Sequence, residues 1–138
     1  MRIKMTLGMA VVLILAISVS SYASYAKDKA KMPAGVKVQK TALGPVLADS
    51  KGMTLYTFDK DTTPGKSVCN GPCAQNWPPL AVAAKAKPLA DWTVVTRDDG
   101  SKQWAYKGKP LYTFAKDKQP GDTTGDGFLN NAWHAAKP

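Results

Sequence analysis

The sequence predicts a mainly β domain made of two duplicated antiparallel three-stranded meander units, packed as one body about a pseudo-twofold axis. Three observations predict it: an internal repeat at an offset of 56 positions, short segments of period-two alternation bounded by turn residues, and a length that suits one core.

The first 26 residues are expected to be removed before that domain does anything. Arg2 and Lys4 open a basic start, an apolar run follows from Met5 to Val19, and Ser24-Tyr25-Ala26 supplies small residues at a cleavage site. This is the layout of a secretory signal peptide, cut after Ala26, with an apolar run shorter than the roughly 20 residues that span a bilayer. Removing 1–26 leaves 112 of the 138 residues, enough for one modest domain. Residues 27–33 carry no periodic apolar pattern and are expected to form a flexible N-terminal arm, followed by a single β-rich domain over 34–138.

Superposing Ala34–Trp77 on Ala90–Trp133 without a gap makes 15 of 44 paired positions identical. Unrelated sequence of this composition would give about three, so duplication is the economical explanation. The two repeat units are therefore 34–77 and 90–133, joined by a connector over 78–89 that is rich in Ala, Lys and Pro. In the second unit, Trp92 to Arg97 is rich in β-branched residues and ends at Asp98-Asp99-Gly100, a turn signal. Trp104 and Tyr106 then alternate, Lys107-Gly108-Lys109 turns, and Tyr112 and Phe114 share a face opposite Leu111 and Thr113. The first unit repeats this with Val36–Lys40, Val46–Ala48 and Met53–Phe58, so six strands are expected.

Two stretches, Tyr56-Thr57-Phe58-Asp59-Lys60-Asp61 and Tyr112-Thr113-Phe114-Ala115-Lys116-Asp117, share the pattern Yx(FWY)xxD. With CNGPCAQNWPPL and the Trp133-His134 pair, they make the chain resemble a bacterial secreted-repeat family often labelled predicted lipoprotein with a Yx(FWY)xxD motif. The resemblance spans essentially all of the chain beyond residue 26 and implies an envelope or secreted location. It implies no activity. No cysteine lies near the cleavage region, so the lipoprotein half of that label finds no support and no lasting membrane anchor is expected. Read physically, Tyr56, Phe58, Tyr112 and Phe114 suit packing on one face of a strand, and Asp61 and Asp117 suit binding turn amides.

Cys69 and Cys73 are the only cysteines, and in an oxidising compartment a local disulfide is the default. A reversible thiol pair or soft-metal site is the alternative; the CxxxC spacing argues against zinc. His134, the only histidine, would hold copper if the fold joined it to Cys69, Cys73 or Met53, which keeps a periplasmic copper or redox-handling protein open. The segment 122–133 follows a calcium loop in part. Asp122 and Asp126 fall at positions 1 and 5, Gly127 at the turn and Phe128 at the carbonyl position, but Trp133 stands where a bidentate Glu belongs. A weak calcium-stabilised adhesion or matrix module is thus a second alternative, and a plain Asp/Gly turn the blander one.

After residue 26 the chain holds 17 basic and ten acidic residues, a net charge of +7, and every acid is Asp. The lysines are scattered and Arg97 is the single arginine, which argues against nucleic acid. No phosphate-binding Gly loop, no Ser/His/Asp spacing and no Glu pair is present, which argues against an enzyme. The expected function is a non-enzymatic periplasmic or secreted domain that binds an unidentified envelope component.

Overall fold

The computed structural model describes residues 31–138. The expected signal peptide, its cleavage site and most of the expected arm lie outside the described residues. That arm does not reach Pro33: Met32 packs on the core, Pro33 is buried, and the Pro33 carbonyl accepts a hydrogen bond from Val36 N at 3.2 Å.

The strands alternate as expected. β1 (Val36–Thr41) and β2 (Gly44–Asp49) form an antiparallel hairpin, followed by β3 (Tyr56–Phe58) and a short helix, α1 (Pro72–Asn76). The second unit supplies β4 (Trp92–Thr96), β5 (Lys102–Tyr106) and β6 (Lys109–Pro110), a three-stranded antiparallel sheet in that order. A helical turn, α2 (Phe128–Asn131), leads into β7 (Trp133–Ala135). Both meanders are thus present, the first closed by a Thr54 bridge to Ala48 and by Leu55 N bonding Leu47 O at 2.9 Å.

β7 raises the six expected strands to seven. It pairs antiparallel not with its own unit but with β3 of the first, Tyr56 opposite Ala135 and Phe58 opposite Trp133. The mirror pairing sets Pro79 opposite Tyr112, where Thr113 N donates to Pro78 O at 2.8 Å. Two prolines lack the N–H that a ladder needs, so this counterpart stays a bridge rather than a full strand. Each unit therefore lends its tail to the other.

Those reciprocal bonds define the pseudo-twofold axis. Tyr56 N donates to Tyr112 O at 2.7 Å and Tyr112 N returns to Tyr56 O at 3.0 Å. Asp59 N to Ala132 O at 2.8 Å is matched by Ala115 N to Asn76 O at 2.9 Å. Leu47, Leu55 and Ala136 bond in a closed ring of backbone groups, and Trp104, Leu111 and Leu80 do the same. The expected units end too early, because Leu80 and Ala136 belong to the repeat. The offset is not gapless either: Leu55 matches Leu111 at 56 positions, whereas Leu47 matches Trp104 at 57. The β4–β5 hairpin is one residue longer, and the turn after it one residue shorter.

Successive residues of the third strands face opposite ways, and both faces are covered. Leu55 and Leu111 join Leu47, Trp92, Trp104 and Ala136 in one buried cluster. Tyr56 and Tyr112 join Phe58, Phe114, Trp77 and Trp133 in the other. In the second cluster Phe58, Trp133, Trp77 and Phe114 form a column, with centroid spacings of 4.2, 3.7 and 4.1 Å. The central tryptophans are parallel to within 1°, one from each unit.

Candidate functional site: the tyrosine–aspartate lock and the disulfide loop

The motif residues meet across the pseudo-twofold axis. Tyr56 and Tyr112 stand edge-on to the column, 5.4 Å from Trp77 and 5.1 Å from Trp133, each against the tryptophan of its own unit. Tyr56 Oη donates to Asp117 Oδ2 at 2.7 Å, and Tyr112 Oη donates to Asp61 Oδ2 at 2.5 Å. Each tyrosine is thus satisfied by the aspartate of the other unit. The carboxylates' remaining oxygens hold loops in place: Asp61 Oδ1 accepts from Val68 N at 2.7 Å, and Asp117 Oδ1 accepts from Thr124 N at 3.1 Å.

Burial raises the Tyr56 and Tyr112 phenols far above their ordinary range, and the hydrogen bonds to Asp117 and Asp61 push the same way. A phenolate there would lose water and face a carboxylate. Both phenols are therefore held as proton donors.

The two halves of the lock differ in their surroundings. Tyr56 Oη also accepts from Gly125 N at 3.2 Å, and Gly125 has no room for a side chain. Around Tyr112 the chain continues inward. Ser67 Oγ lies 2.7 Å from Tyr112 Oη, and Arg97 Nη1 donates to Ser67 Oγ at 2.9 Å and to Gln103 Oε1 at 2.8 Å. Because Tyr112 spends its proton on Asp61 and Ser67 accepts from Arg97, the Ser67 proton points to Tyr112. A guanidinium and a carboxylate, each buried, are thus joined through two ordered hydroxyls.

Arg97 also grips the disulfide loop, donating from Nη2 to Cys69 O at 2.6 Å and to Asn70 Oδ1 at 3.3 Å. Cys69 and Cys73 are bonded to each other, with Cα atoms 5.2 Å apart. The sequence reading named the cysteines but missed Ser67, Arg97 and Gln103 as members of one site. A lone arginine among lysines, at the end of a β-branched strand, was the signal available.

The expected metal ligands do not assemble. Asp122 Oδ2 accepts from Lys118 N and Gln119 N at 2.8 and 3.1 Å, while Asp126 Oδ1 accepts from Ala135 N at 2.8 Å. Phe128 O accepts from Ala132 N, and the Phe128 ring packs on Trp77 and Phe114. In this geometry the Asp122 and Asp126 carboxylates bind backbone amides of a turn. The copper reading loses its thiols to the disulfide, and His134 Nε2 lies 2.9 Å from Asp59 Oδ2 in an exposed pair. Met53 sits at the turn after β2, its N bonded to Asp49 Oδ1. Among the described residues no group of three or more His, Cys, Asp or Glu could hold a metal ion.

These features define a class: a duplicated β-domain in which the repeated motif fastens one unit to the other. A family model described as a secreted repeat of unknown function matches residues 37–81 and 93–137, and the chain belongs to that family. The two matches are 56 positions apart, as are Tyr56 and Tyr112, which exchange backbone bonds across the axis. Neither a search of curated proteins nor one of solved structures returns a match. Among the described residues no helix is long and apolar enough to cross a membrane.

Proposed function

We propose that this secreted repeat is a non-enzymatic binding module of the periplasm or the secreted space, which presents a basic, rigid β surface to an anionic envelope component. The observation that carries the reading is the fate of the motif. Tyr56, Phe58, Asp61 and their counterparts are buried and spent on fastening the units, so recognition falls to the solvent-facing residues. Among their charged members lysines outnumber aspartates, and a positive surface raises the local concentration of anionic partners.

A groove of about 580 Å³ lies between the 78–89 segment and the β4–β5 hairpin. Val82, Ala84, Val94 and Thr96 line it beside Ser101 and Lys102. Such a concavity, part apolar and part polar with the single cation Lys102 in its lining, suits a partner carrying both apolar and anionic groups.

Co-sedimentation of purified residues 27–138 with isolated cell envelopes tests the reading. Binding at low salt that weakens as salt screens the lysines is the expected result. Turnover of a substrate by the purified protein, or no binding at low salt, would overturn it.

A further inference from the structure

We propose that Asn70 is a spontaneous deamidation site, built by the Asn70-Gly71 turn and activated by the Arg97 guanidinium. Deamidation at such a dipeptide needs a free backbone nitrogen, an unhindered following residue and an amide carbonyl that can take up charge. All three occur here.

Gly71 N donates no hydrogen bond among the described residues. Gly71 has φ 57° and ψ −127°, and a Cβ placed on it would meet nothing within 4 Å, so the ring that must form has space. Both residues are exposed to water. The turn is held in shape by Cys73 N bonding Asn70 O at 3.2 Å, under the Cys69–Cys73 disulfide. The Asn70 side chain is oriented at both ends. Its Oδ1 accepts from Arg97 Nη2 at 3.3 Å, and its Nδ2 donates to Asp98 Oδ2 at 3.2 Å.

The step balances without any redox partner. Gly71 N, losing its proton to solvent base, forms a bond to Asn70 Cγ, and negative charge builds on Oδ1. A guanidinium beside that oxygen stabilises the developing charge. The Cγ–Nδ2 bond then breaks, ammonia leaves after taking a proton from water, and a five-membered succinimide remains. Water adds to either succinimide carbonyl and opens the ring to an aspartyl or an isoaspartyl residue.

The product changes the electrostatics of the loop. Arg97 bonds only neutral acceptors, namely Ser67, Gln103, Cys69 O and Asn70. Deamidation places a carboxylate next to this buried cation and lowers the net charge of the exposed loop by one. The isoaspartyl form also lengthens the backbone between the two cysteines.

The other asparagines serve as internal controls. Asn76 precedes Trp77, Asn130 precedes Asn131 and Asn131 precedes Ala132, so each is followed by a side chain that hinders ring closure. Mature protein with its disulfide intact is incubated at neutral pH and mapped by peptide mass spectrometry, beside a synthetic peptide of residues 66–75 that lacks Arg97. Asn70 is expected to convert at least about tenfold faster than the other three, and in the intact protein no slower than in the peptide. Replacing Gly71 with Ala should slow it, and N70Q should remove the acidic species seen by ion exchange. If Asn70 converts about tenfold more slowly in the protein than in the peptide, the turn holds Gly71 N away from Cγ and the proposal fails. If all four asparagines convert alike, it fails as well.

Discussion

Replacing Tyr112 with Phe removes one hydroxyl from the core and isolates a buried carboxylate. Asp61, 5% exposed, would keep its bond from Val68 N but lose the phenol on Oδ2, and Ser67 would lose its acceptor. A hydrogen bond to a charged group contributes roughly 1.5–3 kcal/mol, so a loss of about 2–3 kcal/mol is expected. Tyr56→Phe should cost about the same, by stranding Asp117 and Gly125 N. The sharper signature is at alkaline pH. Both folded phenols titrate above the unfolded value of about 10, so above that pH the unfolded chain releases protons that the folded chain retains. Stability is therefore fully present below about pH 10 and falls as pH rises, by about 1.4 kcal/mol per pH unit for each tyrosine. Urea unfolding followed by tryptophan fluorescence at a series of pH values reads this slope directly. Each single Phe variant should lower the slope by one tyrosine's share, and the double variant by both. A wild-type stability that stays flat up to pH 11, or single variants that keep the full slope, would refute the lock.

Three further substitutions probe the neighbouring structure. Gly125→Ala would place a Cβ 2.7 Å from Trp77 Cη2 and 3.0 Å from Tyr56 Cε1; it should cost about 1–3 kcal/mol and weaken the near-ultraviolet dichroism of the tryptophan pair. Leu129 is exposed at φ 55°, within a turn where Asn130 and Asn131 also have positive φ, so Leu129→Gly should stabilise by about 0.5–1 kcal/mol in thermal unfolding. Asp126→Ala should destabilise by about 1 kcal/mol through the lost bond to Ala135 N, identically with calcium or with chelator. A wild-type melting temperature that rises with calcium would restore the cation reading of that loop.

The repeat, the hairpins and the aromatic faces were legible because local rules produce them. Alternation of Tyr112 and Phe114 against Leu111 places the two aromatics in one core cluster and the leucine in the other, as a period of two requires. The exchange of tails was not legible. Both units carry the same Tyr, Phe and Asp, so nothing in the motif says whether Tyr56 meets Asp61 or Asp117. β7 was missed because Trp133-His134-Ala135 is short, carries no β-branched residue and is ordered by a partner 77 residues away, with Thr57 opposite His134. The one-residue register difference was hidden because the longer hairpin and shorter turn of the second unit cancel before Leu111. The calcium spacing is ambiguous for a chemical reason: Asp122 and Asp126 can satisfy backbone amides as well as a cation, and Asp-rich turns serve both ends.

The lock also sets the smallest unit that can fold. A single repeat cut from the chain, residues 34–89, would keep the Tyr56 phenol but lose Asp117, keep Asp61 but lose Tyr112, and expose one face of Trp77 where Trp133 stacks. It would also lose β7, which supplies the partners of Tyr56 and Phe58. A buried donor, a buried acceptor and an aromatic face left unmet together exceed what a fragment of that size can offset. One arrangement restores them all: two copies related by a true twofold axis, with Tyr56 of each bonded to Asp61 of the other. The isolated repeat is therefore expected to be unfolded at low concentration and to gain β structure only as a dimer, seen by circular dichroism and sedimentation over a concentration series. A folded monomeric repeat would show that the exchange of tails is an ornament of the duplication and not its reason.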